Sequence, residues 1–143
     1  FDGFLAAHPW GDLLQTWAWG DLKARSGWRP LRVGGFEDGR LVAATSLLLR
    51  KLPYGLPKSI GYASRGPTFA ETRHLTPFLE GLERIARKEG AFLLKVDPPV
   101  RKEERDVDAA FRARGYLPNL KVGFGGEQPR CNMILPLAGR TEE

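Results

Sequence analysis

Ala91-Phe92-Leu93-Leu94-Lys95-Val96-Asp97-Pro98-Pro99 sets the structural class of this chain. Six residues dominated by apolar side chains have the length of one strand, and Asp97-Pro98-Pro99 stops them. A run without polar alternation suggests a central strand covered on both faces. Just before it, Leu75, Phe78, Leu79, Leu82, Ile85 and Ala86 recur at helical spacing within Thr72 to Lys88, and Gly90 closes that helix. Just after it, Glu104 to Arg114 reads as a shorter helix using Val107, Ala110 and Phe111 and closed by Gly115. Helix, strand, helix in succession points to a sheet with helices packed on it.

Working back toward the start, Trp28 to Phe36 and Arg40 to Leu49 read as two strands joined by Asp38-Gly39, a strong hairpin signal. Gly34-Gly35 interrupts the first of them, so a bulge or a close backbone approach is expected there. Thr16 caps a short helix through Arg25, with Trp17, Leu22 and Trp19 supplying its apolar positions and Gly27 its stop. A third strand fits Ser59 to Ala63, ended by Ser64-Arg65-Gly66-Pro67. Cys131 to Leu137 reads as a last strand after a segment rich in glycine. The sum is an α/β or α+β domain with a sheet of mixed direction flanked by helices.

Composition bounds the function. The chain has 143 residues, 42% hydrophobic and 27% charged, as a globular protein of one ordinary domain does. No apolar run approaches the roughly 20 residues of a membrane-spanning helix. Phe1-Asp2-Gly3-Phe4 has neither a basic start nor a cleavage pattern, so export is not expected. With no initiating Met, the expectation is a piece of a longer protein. The lone Cys131 has no disulfide partner and no zinc-ligand neighbours, which fits a reducing cytoplasm and gives metal chemistry no support. A net charge of +5 and a pI near 9.7 favour polyanions, whether nucleic acid, diphosphate or an anionic membrane face.

Several side chains are candidates for chemistry, each with a plainer alternative. Lys23, late in the first helix, suits a diphosphate or carboxylate as a point charge; equally, a lysine there only complements the helix dipole. Arg65, in a turn at a strand tip with Tyr62 and Ser64 beside it, can clamp an anion bidentately, or the turn is merely a connection. Asp97 stands at the carboxyl edge of its strand, where α/β sheets bind ligands, and can accept a proton; Asp before Pro is also a routine turn residue. Arg130, in Gln128-Pro129-Arg130, either meets a phosphate or holds a strand edge. His8 and His74 fit no nucleophile or zinc pattern. The early tryptophans Trp10, Trp17, Trp19 and Trp28 suit core packing better than base stacking.

Six segments in order carry a resemblance: Gln15-Thr16-Trp17-Ala18-Trp19-Gly20-Asp21-Leu22-Lys23, Gly27-Trp28-Arg29-Pro30, Tyr62-Ala63-Ser64-Arg65-Gly66-Pro67, Leu94-Lys95-Val96-Asp97-Pro98, Gly115-Tyr116, and Gln128-Pro129-Arg130 with Asn132-Met133. Together they resemble the first domain of the Fem family of aminoacyltransferases, whose members consist of two acyltransferase domains of the GNAT type. The resemblance implies a GNAT-like α/β sheet over residues 1–137. It implies that residues 138–143 begin a linker to a second domain that this chain lacks.

It further implies a cytoplasmic enzyme, with possible peripheral membrane contact, that transfers an amino acid from aminoacyl-tRNA to the stem peptide of a peptidoglycan precursor, UDP-MurNAc-pentapeptide or lipid II. No cofactor is implied beyond aminoacyl-tRNA as acyl donor. Lys23 falls on a lysine that holds the precursor's phosphate or peptide carboxylate, and Asp97 on a carboxylate considered as the base. Phe92 matches a position that presents an aromatic ring to the ligand, and Arg65 lies in the matching turn. The ester donor is already activated, so alignment, loss of one ammonium proton and oxyanion donors suffice. The expectation is that 143 residues fold and bind precursor weakly without turning over alone. Two other functions share this fold: an acetyl-CoA-dependent acetyltransferase, whose pyrophosphate loop is not found, and a non-catalytic module binding precursor or RNA.

Overall fold

A computed structural model describes residues 1–53, 56–101 and 103–118. Its elements are α1 (Asp2–Ala7), a 3-10 turn (Leu13–Gln15), α2 (Trp17–Ala24), β1 (Arg29–Glu37), β2 (Arg40–Lys51), β3 (Ser59–Ala63), β4 (Thr68–Phe69), a 3-10 turn (Thr72–His74), α3 (Leu75–Lys88), β5 (Ala91–Val96) and α4 (Arg105–Ala113). The expected final strand at Cys131 to Leu137 lies outside the described residues.

The sheet runs β1-β2-β3-β5, with β4 pairing the remainder of β2. Hairpin neighbours β1 and β2 are antiparallel, as are β2 and β3, whereas β3 and β5 are parallel. That parallel pair needs a crossover, and α3 supplies it. Asp38 and Gly39 both take positive φ, 49° and 75°, as a tight hairpin turn of matching twist requires. The expected irregularity is present as a register shift between Gly35 and Phe36.

Antiparallel partners share a face, so the register sorts the side chains into two sets. Leu31, Val33, Leu47 and Leu49 point to one face, where α3 packs Leu75, Phe78, Leu79, Leu82 and Ala86 against them. Each of the buried leucines and Phe78 contributes about 1.5–3 kcal/mol through burial. Val107 of α4 extends the same core. Pro30, Arg32, Ser46, Leu48 and Arg50 point to the opposite face, which α2 covers: Gly20 lies against Pro30 and the Arg32 guanidinium, with no room for a Cβ. Helices thus flank a mixed sheet on both sides, the fold class that the sequence implied.

Two expectations fail. The strand buried on both faces is β2, continuously from Ala43 to Leu49. Among the described residues β5 is an edge strand, with Phe92 58% and Leu93 44% exposed. An apolar run reports side-chain character, not how many neighbours cover it. In α2, Trp17 and Leu22 do not face the core but are half exposed; the helix is held by its close approach at Gly20 rather than by an apolar stripe.

Candidate functional site

The parallel pair β3 and β5 brings its carboxyl ends side by side, and the adjoining segments are joined there. The Asp97 amide donates to the Gly66 carbonyl at 3.1 Å. Tyr62 Oη donates to Asp97 Oδ2 at 3.4 Å, and Lys95, register partner of Tyr62, places Nζ 5.7 Å from that ring's centroid. Ser64 and Arg65 are buried, and Arg65 takes φ of 53°, a left-handed conformation that non-glycine side chains rarely adopt. Asp97, 35 residues from Tyr62 along the chain, therefore meets both the end of β3 that carries Tyr62 and the turn that carries Ser64 and Arg65.

Gln15 holds that turn. Between β3 and β4 the sheet has a gap opposite Ser46, and the fully buried Gln15 amide fills it. Its Oε1 accepts from Thr45 Oγ1 at 2.7 Å and from the Ser46 amide at 2.8 Å, while Nε2 donates to the Ser64 carbonyl. The same side chain occupies the space a Cβ on Gly66 would need. Nothing in the sequence separates this glutamine from a surface one; the signal is visible only once β3 and β4 are seen to leave Ser46 unpaired.

Lys23 sits elsewhere on the α2 face. Thr16 Oγ1 accepts from the Trp19 amide at 3.3 Å and starts α2, whose last turn carries Lys23. Lys23 Nζ lies 5.7 Å from the ring centroids of both Trp19 and Trp28, and the Arg50 guanidinium carbon is 5.5 Å from that of Trp28. Such spacings are those of cation–π contacts. Trp28 and Arg50 are thus site candidates that the residue types alone did not single out.

Register relates the two groups. Arg50 pairs with Ile60, and Leu48 pairs with Tyr62, so all four side chains lie on the α2 face. Only two residues of β2, about 7 Å, separate the Arg50 row from the Tyr62 row. The two groups consequently share one face of the sheet, with Lys23, Trp28 and Arg50 toward one end and Tyr62 and Asp97 toward the other. Phe92 stands apart, near the opposite end of β5 from Asp97. Arg130 lies outside the described residues. Among the described residues no cluster of His, Cys, Asp or Glu is arranged to hold a metal ion, and no helix is long and apolar enough to cross a membrane.

A separate cavity of about 680 Å³ opens beside β5, between α3, α4 and Leu117. Tyr116 lies in its wall, its phenol pushed well above the ordinary range by burial and by the Glu83 carboxylate. α3 and α4 bound it, so it belongs to the other side of the sheet from Lys23.

Comparison with known proteins adds a consistent result. The model of the FemAB family matches residues 1–115. The chain is 36% identical to the lipid II:glycine glycyltransferase of Staphylococcus saprophyticus over 95% of its own length and 34% of that protein. It is 34% identical to the enzyme of the same name from Staphylococcus haemolyticus, over 99% of its length and 35% of that protein. A crystal structure of FemX superposes with a TM-score of 0.72 at 34% identity, covering 80% of this chain and 29% of that one. The chain spans about a third of the length of the relatives it matches.

Proposed function

Because this chain belongs to the FemAB family, we propose that it forms the precursor-binding part of an enzyme that transfers an amino acid from aminoacyl-tRNA to the stem peptide of a peptidoglycan precursor. The precursor-binding domain comprises residues 1–137, and the donor site lies in the remaining part of the enzyme. The names of the relatives favour a lipid-linked acceptor and glycine as the amino acid transferred.

The observation that carries this proposal is the shared α2 face, with cations over tryptophans at one end and a carboxylate beside a left-handed arginine turn at the other. An extended ligand with a diphosphate and a peptide matches that sequence of chemistries. Lys23 and Arg50 take the diphosphate, as point charge and planar fork respectively. Trp28 offers an apolar wall to the sugar. Tyr62, Ser64 and Arg65 line the path of the stem peptide.

In the reaction the acceptor amine, once deprotonated, attacks the ester carbonyl that joins the amino acid to the tRNA ribose. A C–N bond forms, the C–O bond breaks, and the ribose hydroxyl leaves with a proton. Asp97 draws the acceptor ammonium to the strand ends and takes up its proton; the Tyr62 hydroxyl fixes the carboxylate's direction. Most of the rate enhancement then comes from alignment of an already activated ester.

Calorimetric titration with UDP-muramyl pentapeptide tests this assignment. The chain should bind, and Lys23→Ala and Arg65→Ala should each weaken binding about tenfold or more, the loss expected for a charge-assisted contact. Equal affinity in all three proteins would remove the site assignment. Aminoacylation should not occur with this chain alone; robust transfer by the 143-residue protein would contradict the division of labour.

A further inference from the structure

The loops at one end of the sheet concentrate the charge of the chain. The Leu52 amide donates to the Lys58 carbonyl at 2.9 Å, and the Ser59 amide to the Gly90 carbonyl at 2.9 Å, so the β2–β3 and α3–β5 connections lie against each other. Arg29, at the start of β1, pairs with Glu89 and ties the α2–β1 connection to the same end. Segments 25–29, 50–59 and 88–92 carry six basic residues and a single carboxylate, Glu89. Their excess of five equals the net charge of the whole chain, so the rest is balanced.

The side chains are placed for an extended contact. Arg25, Arg50, Lys51, Lys58 and Lys88 are all exposed, and Arg29 neutralises Glu89. Among them stand two exposed apolar side chains, Leu56 at 52% and Phe92 at 58%. Basic side chains around exposed apolar tips complement an anionic bilayer, where each basic group gains from surface potential and the tips enter the headgroup layer. Lys23, the proposed diphosphate contact, is at the same end, next to Arg50 through Trp28.

We propose that this basic end of the sheet is a docking surface for an anionic lipid bilayer. It sets the α2 face upright on the membrane, so that the diphosphate of a lipid-linked precursor meets Lys23 at the headgroups while its peptide rises toward Asp97. This orientation rests on the function proposed above; the docking itself rests on charge and exposure alone.

Vesicle sedimentation tests it with the chain as it stands. Vesicles of phosphatidylcholine containing about 30% phosphatidylglycerol should bind the protein, pure phosphatidylcholine vesicles should not, and added salt should release it. The variant K51E/K58E/K88E should lose about a hundredfold or more in vesicle affinity. A control with the same change in net charge, R84E/R101E/R105E, should retain most of it. Equal losses in the two triple variants, or no binding to anionic vesicles, would overturn the proposal. So would loss by the first triple of binding to bulk tRNA with vesicle binding unchanged, which would assign the surface to RNA.

Titration of the same proteins with soluble UDP-muramyl pentapeptide separates this proposal from the functional one and confirms folding. Precursor bound without vesicles leaves the function standing and removes the docking. Vesicles bound without precursor does the reverse.

Discussion

Gln15 shows how one side chain can shape a site it does not enter. Its amide satisfies the Ser46 amide, the Thr45 hydroxyl and the Ser64 carbonyl in a fully buried position. Gln15→Leu keeps the volume and removes all three partners. Stranded polar groups of this kind cost about 1–3 kcal/mol each, so a loss of about 3 kcal/mol overall is expected. Thermal denaturation should show a fall of roughly 10 °C. An unchanged melting temperature would mean that the turn bearing Arg65 is held by other contacts.

At the scale of elements, α3 is the main clamp on the sheet and the Arg73 cluster is a minor one. Leu79 is fully buried in the middle of α3, and Leu79→Ala should cost about 2–5 kcal/mol in chemical denaturation through lost burial and the cavity left behind. Arg73 hydrogen bonds hold the Glu37 and Glu71 carboxylates below their ordinary value of 4.5. Carboxylates depressed in the folded state stabilise it above the unfolded value and lose that contribution as pH falls through the folded one. Both are exposed to solvent, so the effect is small. Arg73→Leu should therefore be slightly less stable than wild type at neutral pH and converge with it below pH 4.5; a gap independent of pH would show that the ion pairs contribute nothing.

Elements were legible in the sequence where local chemistry decides them. Asp38-Gly39 marked the hairpin because few residues tolerate positive φ in succession, and the spacing from Leu75 to Ala86 marked α3 because one face must be apolar. The place of β5 was not legible. Ala91 to Val96 has the composition of a central strand, but order within a sheet depends on which partners reach it, and β2 takes the centre through its neighbours on both sides. Trp17 and Leu22 misled for a related reason: α2 docks by a glycine contact, so its large apolar residues are left outside. Tyr62, Arg65 and Asp97 could be paired from strand-end logic, whereas Trp28 and Arg50 join Lys23 only through a register between strands.

For the whole molecule, the proposal is that the α2 face holds one precursor between the Lys23 end and the Asp97 end, and on that proposal the two ends should answer to different parts of it. The most direct measurement compares UDP-muramic acid lacking the peptide with the full UDP-muramyl pentapeptide, titrated into wild type, Lys23→Ala and Arg65→Ala. Lys23→Ala should weaken both ligands by a similar factor. Arg65→Ala should weaken the pentapeptide and leave the peptide-free ligand unaffected. If both substitutions weaken the two ligands alike, or the peptide-free ligand depends on Arg65 and not on Lys23, the face does not hold the precursor in this way.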